Sequence, residues 1–597
     1  MPQHSFDILA LVEPFSRLDP ATRATIAERF ELIHIPRGVM LVRQGEFSDR
    51  LYIVVTGRFA VLRGVAAKPV AEIGAGQPVG EIAFFAGGPR TASVRAERDS
   101  VVLALSRDEF DRLAARLPDL WPSVTSRLAK RLADTTAGRC GGGFVPPKTL
   151  ALCRAGQRPL HSGFVEEFKR YCAMLAGTLF LDSSSAKTHA DLSEADAPRQ
   201  AVHFNNLEKR YDQVVYLCDD GPTNWTQKAL RQADQVLLIA DAEATGTTIG
   251  DLAPNALEEL AATLHEQKNT RLVLLHARYA PVVTGTGRWL DQRPYVGPHH
   301  HVALGCRNDL NRLIRFIRGQ ALGVVASGGG AFTAAHIGML QALQEAGYEF
   351  DAYGGTSGGA AMAAAFACAV GAEVIDRRTH EMFVTRKAMG RWTWPRYSLL
   401  DHAVFDASLA ELYPAQDIAD LWVPFFAAAT NLSRNELVTL RRGPLWKAIR
   451  ASAAIPALFP PVFQNGDMLV DGCLIDNVPL RSMRELKSGP NVILDLQVPD
   501  LGRYDIDTAK LPTRAGLLRR VFSLSRATTP EAPGPQAVLL RSLLRERRDV
   551  SSELRAGDLL LSFPVPEAAN VLDWSNHREL RWSAYDFTRA QLANSDI

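Results

Sequence analysis

Short apolar runs separated by glycine turns fill the first part of the chain. Their length and the turn residues between them are typical of strands. A helical segment, Arg107–Leu132, follows them. The pattern predicts a strand-rich domain with a following helix over residues 1–137. The clearest apolar runs are Val39–Arg43, Leu51–Thr56, Phe59–Arg63 and Val101–Ser106.

The hydrophobic pattern changes after a segment rich in glycine and proline. This segment, AGRCGGGFVPP, predicts a linker over residues 138–147. From residue 148 to 319 apolar runs alternate with helical segments, which predicts a parallel α/β sheet. The first run, Thr149–Cys153, is followed by RAGQRPLHSG, which lacks the Lys-Ser/Thr ending of a P-loop. We therefore expect an α/β domain that does not hydrolyse nucleotides.

A second α/β block is predicted over residues 320–499, and a C-terminal helical extension over 500–597. In the extension, arginines lie between leucines from Arg514 to Arg548. A basic amphipathic stretch of this kind can rest on an anionic membrane surface. The alternatives are a solvated helix face and packing against the preceding α/β block.

Composition and charge narrow the classes of function. The chain has 597 residues, 47% hydrophobic and 22% charged, which is typical of several globular domains. Lys and Arg number 67 against 65 Asp and Glu, a net charge of +2 that argues against nucleic acid as the main partner. Seven cysteines without a CxxC pair indicate reduced thiols in a cytoplasmic protein and no metal site. Without a run of about 20 strongly apolar residues, we expect any membrane contact to be peripheral.

A glycine-rich turn opens the second α/β block. Gly323–Ser327 reads as a strand, Gly328-Gly329-Gly330 as a tight turn, and Ala334–Ala346 as a helix. Glycines at a helix start leave backbone N–H groups accessible, and such donors suit a developing oxyanion. A phosphate cradle and a simple strand–helix turn are the alternatives.

Two further motifs in this block carry groups that can react. Gly355–Gly359 is a G-x-S-x-G match between an apolar strand and an Ala-rich helix, and this context presents Ser357 on a sharp turn. Asp471-Gly472 follows the strand Met468–Val470, where a carboxylate can serve as general base. The alternative for this second motif is an ordinary Asp-Gly turn.

In their order along the chain, these three motifs resemble the patatin-like phospholipases. The stretch NLSRNELVTLRRGPLWKAIRASAAIPALFPPV is similar to the neuropathy target esterase subgroup of that family. The resemblance implies an α/β hydrolase domain with a Ser–Asp dyad and no catalytic histidine. Ser357 would attack an ester carbonyl, and Asp471 would accept its proton and later activate water. The backbone amides of Gly328, Gly329 and Gly330 would hold the oxyanion.

The sequence departs from the family pattern at three positions. Phe332 and Thr333 stand where a basic residue and glycine are usual, and Cys473 replaces Gly or Ala after Asp471-Gly472. A Ser–Asp–His triad is the competing arrangement, for which only His577 follows the acid. We interpret His336 as a packed core histidine rather than a base.

A separate motif lies in the strand-rich domain over residues 1–137. Val79–Ala96 reads VGEIAFFAGGPRTASVRA, in which exposed backbone amides beside an arginine can form a phosphate nest. The segment resembles the phosphate-binding cassette of cyclic nucleotide-binding domains, and this resemblance implies a β-roll with flanking helices for residues 1–137. The resemblance implies that Glu81 contacts the ribose 2′-OH and that Arg90 contacts the cyclic phosphate. The further donors that it implies are Gly80, Thr91 and Ala92.

The sequence thus favours a cytoplasmic serine esterase that hydrolyses carboxylic esters of (lyso)phospholipids at a membrane surface. We expect no cofactor or metal in catalysis, no nucleic acid partner, and a cyclic nucleotide, cAMP or cGMP, as a regulatory ligand. The alternative is a cyclic-nucleotide sensor whose hydrolase-like block is an inactive scaffold. The departures at Phe332 and Thr333 motivate that alternative.

Overall fold

The computed structural model describes residues 20–47, 49–64, 68–116, 146–189, 197–243, 249–414, 416–497, 550–566 and 571–594, with single positions 511, 513 and 538. The predicted linker up to residue 145, the helical prediction beyond residue 116 and the arginine-rich stretch 514–548 lie outside these residues. The chain divides into two compact units. The first comprises Met1–Tyr279 with Arg288–Leu310, and the second comprises Ala280–Gly287 with Asn311–Ile597.

The first unit begins with a roll of eight strands. They are β1 (Glu31–Ile35), β2 (Met40–Val42), β3 (Arg50–Thr56), β4 (Arg58–Arg63), β5 (Lys68–Gly74), β6 (Pro78–Val79), β7 (Ser93–Ala96) and β8 (Ser100–Ser106). Two four-stranded antiparallel sheets result, in the orders β1-β8-β3-β6 and β2-β7-β4-β5. Helices α1 (Pro20–Ala27), α2 (Glu81–Ala86) and α3 (Arg107–Arg116) precede, interrupt and follow the strands. The predicted β-roll with flanking helices is confirmed.

A parallel sheet forms the rest of the first unit. Its strands are β9 (Thr149–Arg154), β10 (Thr178–Leu181), β11 (Gln213–Leu217), β12 (Gln235–Asp241), β13 (Thr270–His276) and β14 (His299–Ala303). They pair in the order β10-β11-β9-β12-β13-β14, every pair parallel. The central strands are buried along almost their whole length, which explains their continuous apolar sequence. The predicted parallel α/β domain is confirmed.

The helices of this domain lie between the strands in sequence, as parallel pairing requires. They are α4 (Ser162–Met174), α5 (Ser183–His189), α6 (Ala197–Arg210), α7 (Asn224–Gln232) and α8 (Ala256–Leu264). The chain passes between the two units within α9 (Thr286–Asp291) and again within α10 (Arg307–Arg318).

Buried charges join the β-roll to the parallel sheet domain inside the first unit. Asp99, at the start of the β8 hairpin, is fully buried and accepts hydrogen bonds from Lys228 Nζ at 2.9 Å and Arg231 Nε at 3.1 Å. Burial by itself would raise the pKa of Asp99, but the two cations hold it below its ordinary value. Arg98 pairs with Asp234 at 2.6 Å in the same contact. Removing one partner of such a pair leaves an uncompensated buried charge, so these contacts bind the two domains tightly.

The second unit is built on a mixed sheet of eight strands. They are β15 (Gly323–Ala326), β16 (Ala352–Thr356), β17 (Phe425–Asn431), β18 (Glu436–Leu440), β19 (Val462–Gln464), β20 (Asp467–Asp471), β21 (Asn491–Gln497) and β22 (Leu559–Pro564). The order is β19-β20-β17-β16-β15-β21-β22, and β18 also pairs with β17. The strands from β17 to β22 along this order are parallel, whereas β18 and β20 run antiparallel to β17. This is the α/β core expected of the block.

Helices cover this sheet. They are α11 (Ala334–Glu345), α12 (Gly358–Ala367), α13 (Ala372–Thr379), α14 (Ala403–Leu412), α15 (Leu445–Ser452), α16 (Leu480–Leu486) and α17 (His577–Asn594). A π-helical turn, His380–Thr385, continues α13. Helix α17 packs along α11 so closely that a Cβ atom on Gly338 would overlap the carbonyl of Arg581.

The prediction of a purely helical C-terminal extension is wrong where residues 559–564 form β22. This strand pairs in parallel with β21, from Leu559 opposite Val492 to Pro564 opposite Gln497. The apolar side chains of β22 become buried only because the strand pairs with β21, which lies much earlier in the chain. Among the described residues, no helix is both long enough and apolar enough to cross a bilayer.

Candidate functional site

Ser357 occupies a strained turn between β16 and α12. Its backbone has φ 56° and ψ −129°, a conformation that a non-glycine residue rarely adopts. The neighbouring glycines allow this turn, because a Cβ atom on Gly358 would meet Thr333 and one on Gly359 would overlap the carbonyl of Ser327. This is the geometry that lifts a serine hydroxyl out of the backbone at the end of a strand.

Asp471 ends β20 and faces this serine. Strand β17 lies between β16 and β20, so the ends of β16 and β20 meet at one edge of the sheet. There Ser357 Oγ donates a hydrogen bond to Asp471 Oδ2 at 2.6 Å. Both side chains are buried, with Ser357 only 4% exposed and Asp471 0%. The structure therefore brings together the two residues that the sequence singled out, although they lie 114 positions apart.

The surroundings of Asp471 raise the proton affinity of its carboxylate. Burial raises the pKa of Asp471 to about 6, against the opposing effect of hydrogen bonds from Ser357 and Cys473. Such a group is largely ionised at neutral pH, yet it is more basic than a carboxylate in water. The backbone amide of Cys473 donates to Asp471 Oδ1 at 3.0 Å, so both oxygens have a partner and the carboxylate is fixed in orientation.

The glycine loop approaches the serine from β15. The Gly328 amide donates to the carbonyl of Asn477 at 3.3 Å. Among the described residues, the amides of Gly329 and Gly330 have no hydrogen-bond acceptor. A Cβ atom on Gly328 would come within 3.1 Å of the Ser357 Cβ, so the loop and the serine turn are in direct contact. Two of the three predicted glycines thus present bare N–H donors beside Ser357.

The departures from the family pattern have structural explanations. Thr333 Oγ1 donates to the Gly330 carbonyl at 2.6 Å, which fixes the plane of the peptide between Gly330 and Ala331. Phe332 is 4% exposed and packs in the main hydrophobic core of the unit. The Cys473 thiol hydrogen-bonds to Asp471, and burial followed by the Asp471 charge raises the pKa of that thiol, so it stays protonated. None of the three residues disrupts the contact between Ser357 and Asp471.

Sequence reasoning missed a supporting serine. Ser452, at the end of α15, accepts a hydrogen bond from the Ser357 amide at 2.8 Å and donates one to the Ala428 carbonyl at 2.6 Å. The hydroxyl thereby satisfies the buried amide of the strained turn and ties it to β17. The segment ASAAIP carries Ser452, but nothing in its local pattern indicates which atoms the hydroxyl contacts.

The C-terminal extension also contributes to the site. The Val571 carbonyl accepts a hydrogen bond from the Ala331 amide at 2.8 Å, directly beside the glycine loop. Trp574 is 5% exposed and stacks on Phe383 with ring centroids 3.8 Å apart. Both residues follow β22 in sequence, so the extension is part of the site and not an appendage.

An apolar cavity of about 70 Å³ opens beside Ser357. Its wall includes Gly330 of the glycine loop and Trp574 of the extension. The remaining lining is largely aliphatic and aromatic, with Arg378 as its one charged residue among those described. A cavity with this apolar lining suits a hydrocarbon chain better than a polar substrate. Its other apolar lining residues include Met362, Ile375, Met382, Phe405, Leu409 and Ile455.

Neither candidate histidine contacts the pair. His336 is completely buried, and its Nε2 donates to the Ser327 carbonyl at 2.9 Å. Burial lowers the pKa of His336 to about 4, so it is neutral and packed in the core, as interpreted from the sequence. His577 Nδ1 hydrogen-bonds to the Trp574 carbonyl at 2.8 Å, and its ring lies against His380. The geometry thus favours a dyad over a triad. Among the described residues, no group of three potential ligands could hold a metal ion.

The nucleotide cassette of the first unit surrounds Arg90. Gly80 has φ 80°, and a Cβ atom there would overlap the Arg90 guanidinium, so the position needs glycine. Arg90 is 5% exposed and donates to the carbonyls of Gly80 at 2.9 Å and Arg50 at 2.6 Å. Glu81 begins α2 beside it and is buried. Among the described residues, the amides of Thr91 and Ala92 have no acceptor. The five predicted residues therefore form one cradle.

Comparison with known proteins agrees with this division of the chain. A family model for patatin-like phospholipases matches residues 324–484, which contain the glycine loop, Ser357 and Asp471. The chain contains a patatin-like phospholipase domain. The Neuropathy Target Esterase family P-loop like domain matches residues 149–322, and the cyclic nucleotide-binding domain matches 32–116. The resemblances found in the sequence are confirmed.

Curated relatives are similar to most of this chain. It is 28% identical to the lysophospholipase nte1 of Aspergillus fumigatus, over 84% of this chain and 38% of that protein. It is 25% identical to the lysophospholipase NTE1 of Candida albicans, over 77% and 39%. A patatin-like phospholipase domain-containing protein of Caenorhabditis elegans is 28% identical over 82% and 41%. The chain thus spans about two fifths of the length of these relatives.

We predict that the Cys473 thiol sets the acid side of the pH profile for the labelling rate of Ser357. Phosphonylation of Ser357 by a fluorophosphonate needs the ionised Asp471, so its rate should rise with pH through about 6. Cys473→Ala removes a donor that lowers the pKa of Asp471, so the midpoint should move to higher pH. The buried Cys172→Ala in the first unit is the matched control. An unchanged midpoint in Cys473→Ala contradicts the assigned thiol contact.

Trp574 is predicted to help select the chain length of the acyl group. Trp574→Ala removes one wall of the cavity and its stacking on Phe383, so labelling by a long-alkyl fluorophosphonate should slow by about tenfold, as expected for a lost buried contact of 1–2 kcal/mol. Labelling by a short-alkyl analogue should change little. Trp582→Ala, a half-exposed tryptophan of α17, is the control. Equal slowing with both probes, with an unchanged melting temperature, would show that Trp574 does not line the acyl site.

Proposed function

We propose that this chain hydrolyses a carboxylic ester of a lysophospholipid or related phospholipid through a Ser–Asp dyad. The observation that carries the proposal is the 2.6 Å hydrogen bond from Ser357 Oγ to a buried Asp471 carboxylate of raised pKa. Bare backbone amides and an apolar cavity flank the same serine. A nucleophile, a base, oxyanion donors and a hydrocarbon site therefore meet at one point.

In the first half-reaction Ser357 Oγ attacks the ester carbonyl carbon as its proton passes to Asp471 Oδ2. The carbonyl oxygen becomes an oxyanion that accepts hydrogen bonds from the amides of Gly329 and Gly330. Each such donor contributes about 3 kcal/mol to the stability of the transition state. Collapse of the tetrahedral intermediate breaks the ester C–O bond, and the leaving alcohol takes the proton from Asp471. The acyl group stays on Ser357.

In the second half-reaction Asp471 accepts a proton from water, which attacks the acyl-serine carbonyl. The oxyanion forms in the same loop, and the Ser357–acyl bond breaks as the proton returns to Ser357 Oγ. A free fatty acid is released. The strain at Ser357 supports both steps, since the turn holds the hydroxyl in one position between the base and the loop.

The substrate class follows from the cavity and from the relatives. The apolar lining accepts the fatty acyl chain, which leaves the polar phosphate part of the substrate outside it. The printed names of the Aspergillus and Candida relatives assign lysophospholipase activity to those proteins. We extend that class to this chain because its dyad, loop and cavity are complete.

The inactive-scaffold hypothesis has less support. It rested on Phe332 and Thr333, but Phe332 packs in the core and Thr333 fixes the glycine loop. A scaffold without activity has no need of a buried carboxylate aligned on a strained serine, since both are costly to fold.

We also propose that the β-roll binds a cyclic nucleotide. Arg90 and the bare amides of Thr91 and Ala92 supply charged and neutral donors for a cyclic phosphate, and Glu81 is adjacent for the ribose hydroxyl. The match to the cyclic nucleotide-binding family supports the same ligand. Buried ion pairs such as Asp99 with Lys228 join this roll to the parallel sheet domain, so a change in the roll acts on that domain directly.

The dyad is tested by removing each member. Ser357→Ala should abolish both fluorophosphonate labelling and fatty acid release from a lysophospholipid. Asp471→Asn should lower fatty acid release by roughly 10²- to 10⁴-fold, the usual contribution of a general base. Ser408→Ala, another buried serine of the unit, should retain full activity. Wild-type labelling without fatty acid release would limit the proposal to an ester of another class, and release by Ser357→Ala would refute it.

The nucleotide site is tested by calorimetry with cAMP and with cGMP. Arg90→Lys keeps a charge but loses the planar fork, and should weaken binding by roughly 10- to 100-fold, as the loss of a charge-assisted hydrogen bond predicts. Arg63→Ala, at the exposed end of β4, should bind as the wild type does. A wild-type chain that binds neither nucleotide would reduce the roll to a structural module.

A further inference from the structure

An aromatic hairpin projects from the second unit. Trp392 pairs with Leu400 in an antiparallel bridge, and the Thr393 amide donates to the Leu399 carbonyl at 3.0 Å. We call residues 391–400 the Trp hairpin. Its seven residues 391–397 are all exposed.

Three of these exposed residues are large and aromatic. Trp392 is 63% exposed, Trp394 86% and Tyr397 75%. Single exposed hydrophobic residues are common on soluble proteins, but three exposed aromatic side chains on one hairpin are unusual and point to an interaction surface. None of the three has an aromatic packing partner among the described residues.

The hairpin is also cationic. Residues 386–400 contain Arg386, Lys387, Arg391 and Arg396 but no Asp or Glu. Arg386 is neutralised by Glu381 at 3.1 Å and Glu411 at 2.8 Å. The other three cations have no acidic partner among the described residues. The patch therefore combines aromatic rings with an uncompensated positive charge.

The base of the hairpin is fastened beside the acyl cavity. The amides of Leu399 and Leu400 donate to the carbonyls of Ala457 at 2.8 Å and Leu458 at 3.0 Å. Both carbonyls belong to a turn that directly follows Ile455, and Ile455 lines the cavity. Met389, two residues before the hairpin, lines the cavity as well. Leu400 is 1% exposed, so the base is fixed in the core while the tip stays in solvent.

We propose that the Trp hairpin docks the enzyme on an anionic lipid surface and thereby places the cavity over its substrate. Tryptophan and tyrosine favour the interfacial region of a bilayer, where an apolar ring and a polar edge are both accommodated. Lys387, Arg391 and Arg396 add attraction to anionic headgroups. The choice of a lipid surface over a protein partner rests on the proposed function, because the patch borders a cavity assigned to a fatty acyl chain.

This assignment locates membrane contact in a segment that the sequence pattern did not single out. The arginine-rich stretch 514–548, to which that contact was assigned as one alternative, lies outside the described residues. The hairpin combines both interfacial elements, aromatic rings and basic charge, on a turn fixed to the catalytic unit. Contact with lipid through this turn would bring the cavity to the surface.

Vesicle binding tests the docking role separately from catalysis. The full chain carrying Ser357→Ala cannot turn over lipid, and its flotation with vesicles of phosphatidylcholine and phosphatidylglycerol measures docking alone. Adding Trp392→Ala, Trp394→Ala and Tyr397→Ala should lower the partition coefficient by about tenfold or more, since it removes the aromatic area buried at the interface. Trp582→Ala, a half-exposed tryptophan on α17, should bind as the parent does.

The charge component is tested with a second variant. Arg391→Gln and Arg396→Gln in the same background should weaken binding to the anionic vesicles by roughly fivefold for each charge removed. Binding to pure phosphatidylcholine vesicles should not change. Added salt should remove the difference between the variant and its parent.

The active chain provides a further readout. With Ser357 present, the aromatic variant should hydrolyse a water-soluble short-chain ester at the parental rate but should release fatty acid from vesicles more slowly. Failure of the parent to float with anionic vesicles, or equal flotation of the aromatic variant, would overturn the docking role and leave the esterase proposal intact. A shift of the variant from a dimer to a monomer without any loss of flotation would show that the hairpin contacts a second copy of the chain, and would also overturn it.

Discussion

The hydrogen bond between Ser357 Oγ and Asp471 Oδ2 depends on the position of one strand. Strand β17 lies between β16, which ends at the serine turn, and β20, which ends at Asp471. The serine backbone is strained. Burial disfavours the charged form of the Asp471 carboxylate and so raises its pKa. Packing around them must therefore hold both groups in place, and the contacts of Ser452 and of the glycine loop do so.

The same constraint explains why the catalytic unit extends past its central α/β block. The glycine loop lies between the serine turn and the segment that follows β22, where the Val571 carbonyl fixes the Ala331 amide. Trp574 then closes part of the cavity against Phe383. Residues far along the chain thus shape both the glycine loop and the apolar cavity, so the extension is coupled to the geometry around Ser357.

In the first unit, buried ion pairs connect the two domains. The cradle around Arg90 belongs to a roll that shares buried ion pairs with the parallel sheet domain, among them Asp99 with Lys228 and Arg98 with Asp234. Charges without water around them interact strongly and tolerate little displacement. A ligand that moves β8 or its turns would therefore also displace the buried ion pairs that join the roll to the parallel sheet domain.

Local patterns and motifs were enough to predict the fold classes and to propose the candidate reactive groups, because strand periodicity, turn glycines and short motifs are local properties. The first strand of the parallel sheet was predicted at Thr149–Cys153 and is observed at Thr149–Arg154. Ser357, Asp471 and Arg90 were each found from a few neighbouring letters. Which groups meet is seen only in the folded chain. The Gly328 amide donates to the Asn477 carbonyl, the Ser452 hydroxyl accepts from the Ser357 amide, and β22 completes the sheet. These facts depend on contacts between distant segments, which no local pattern encodes.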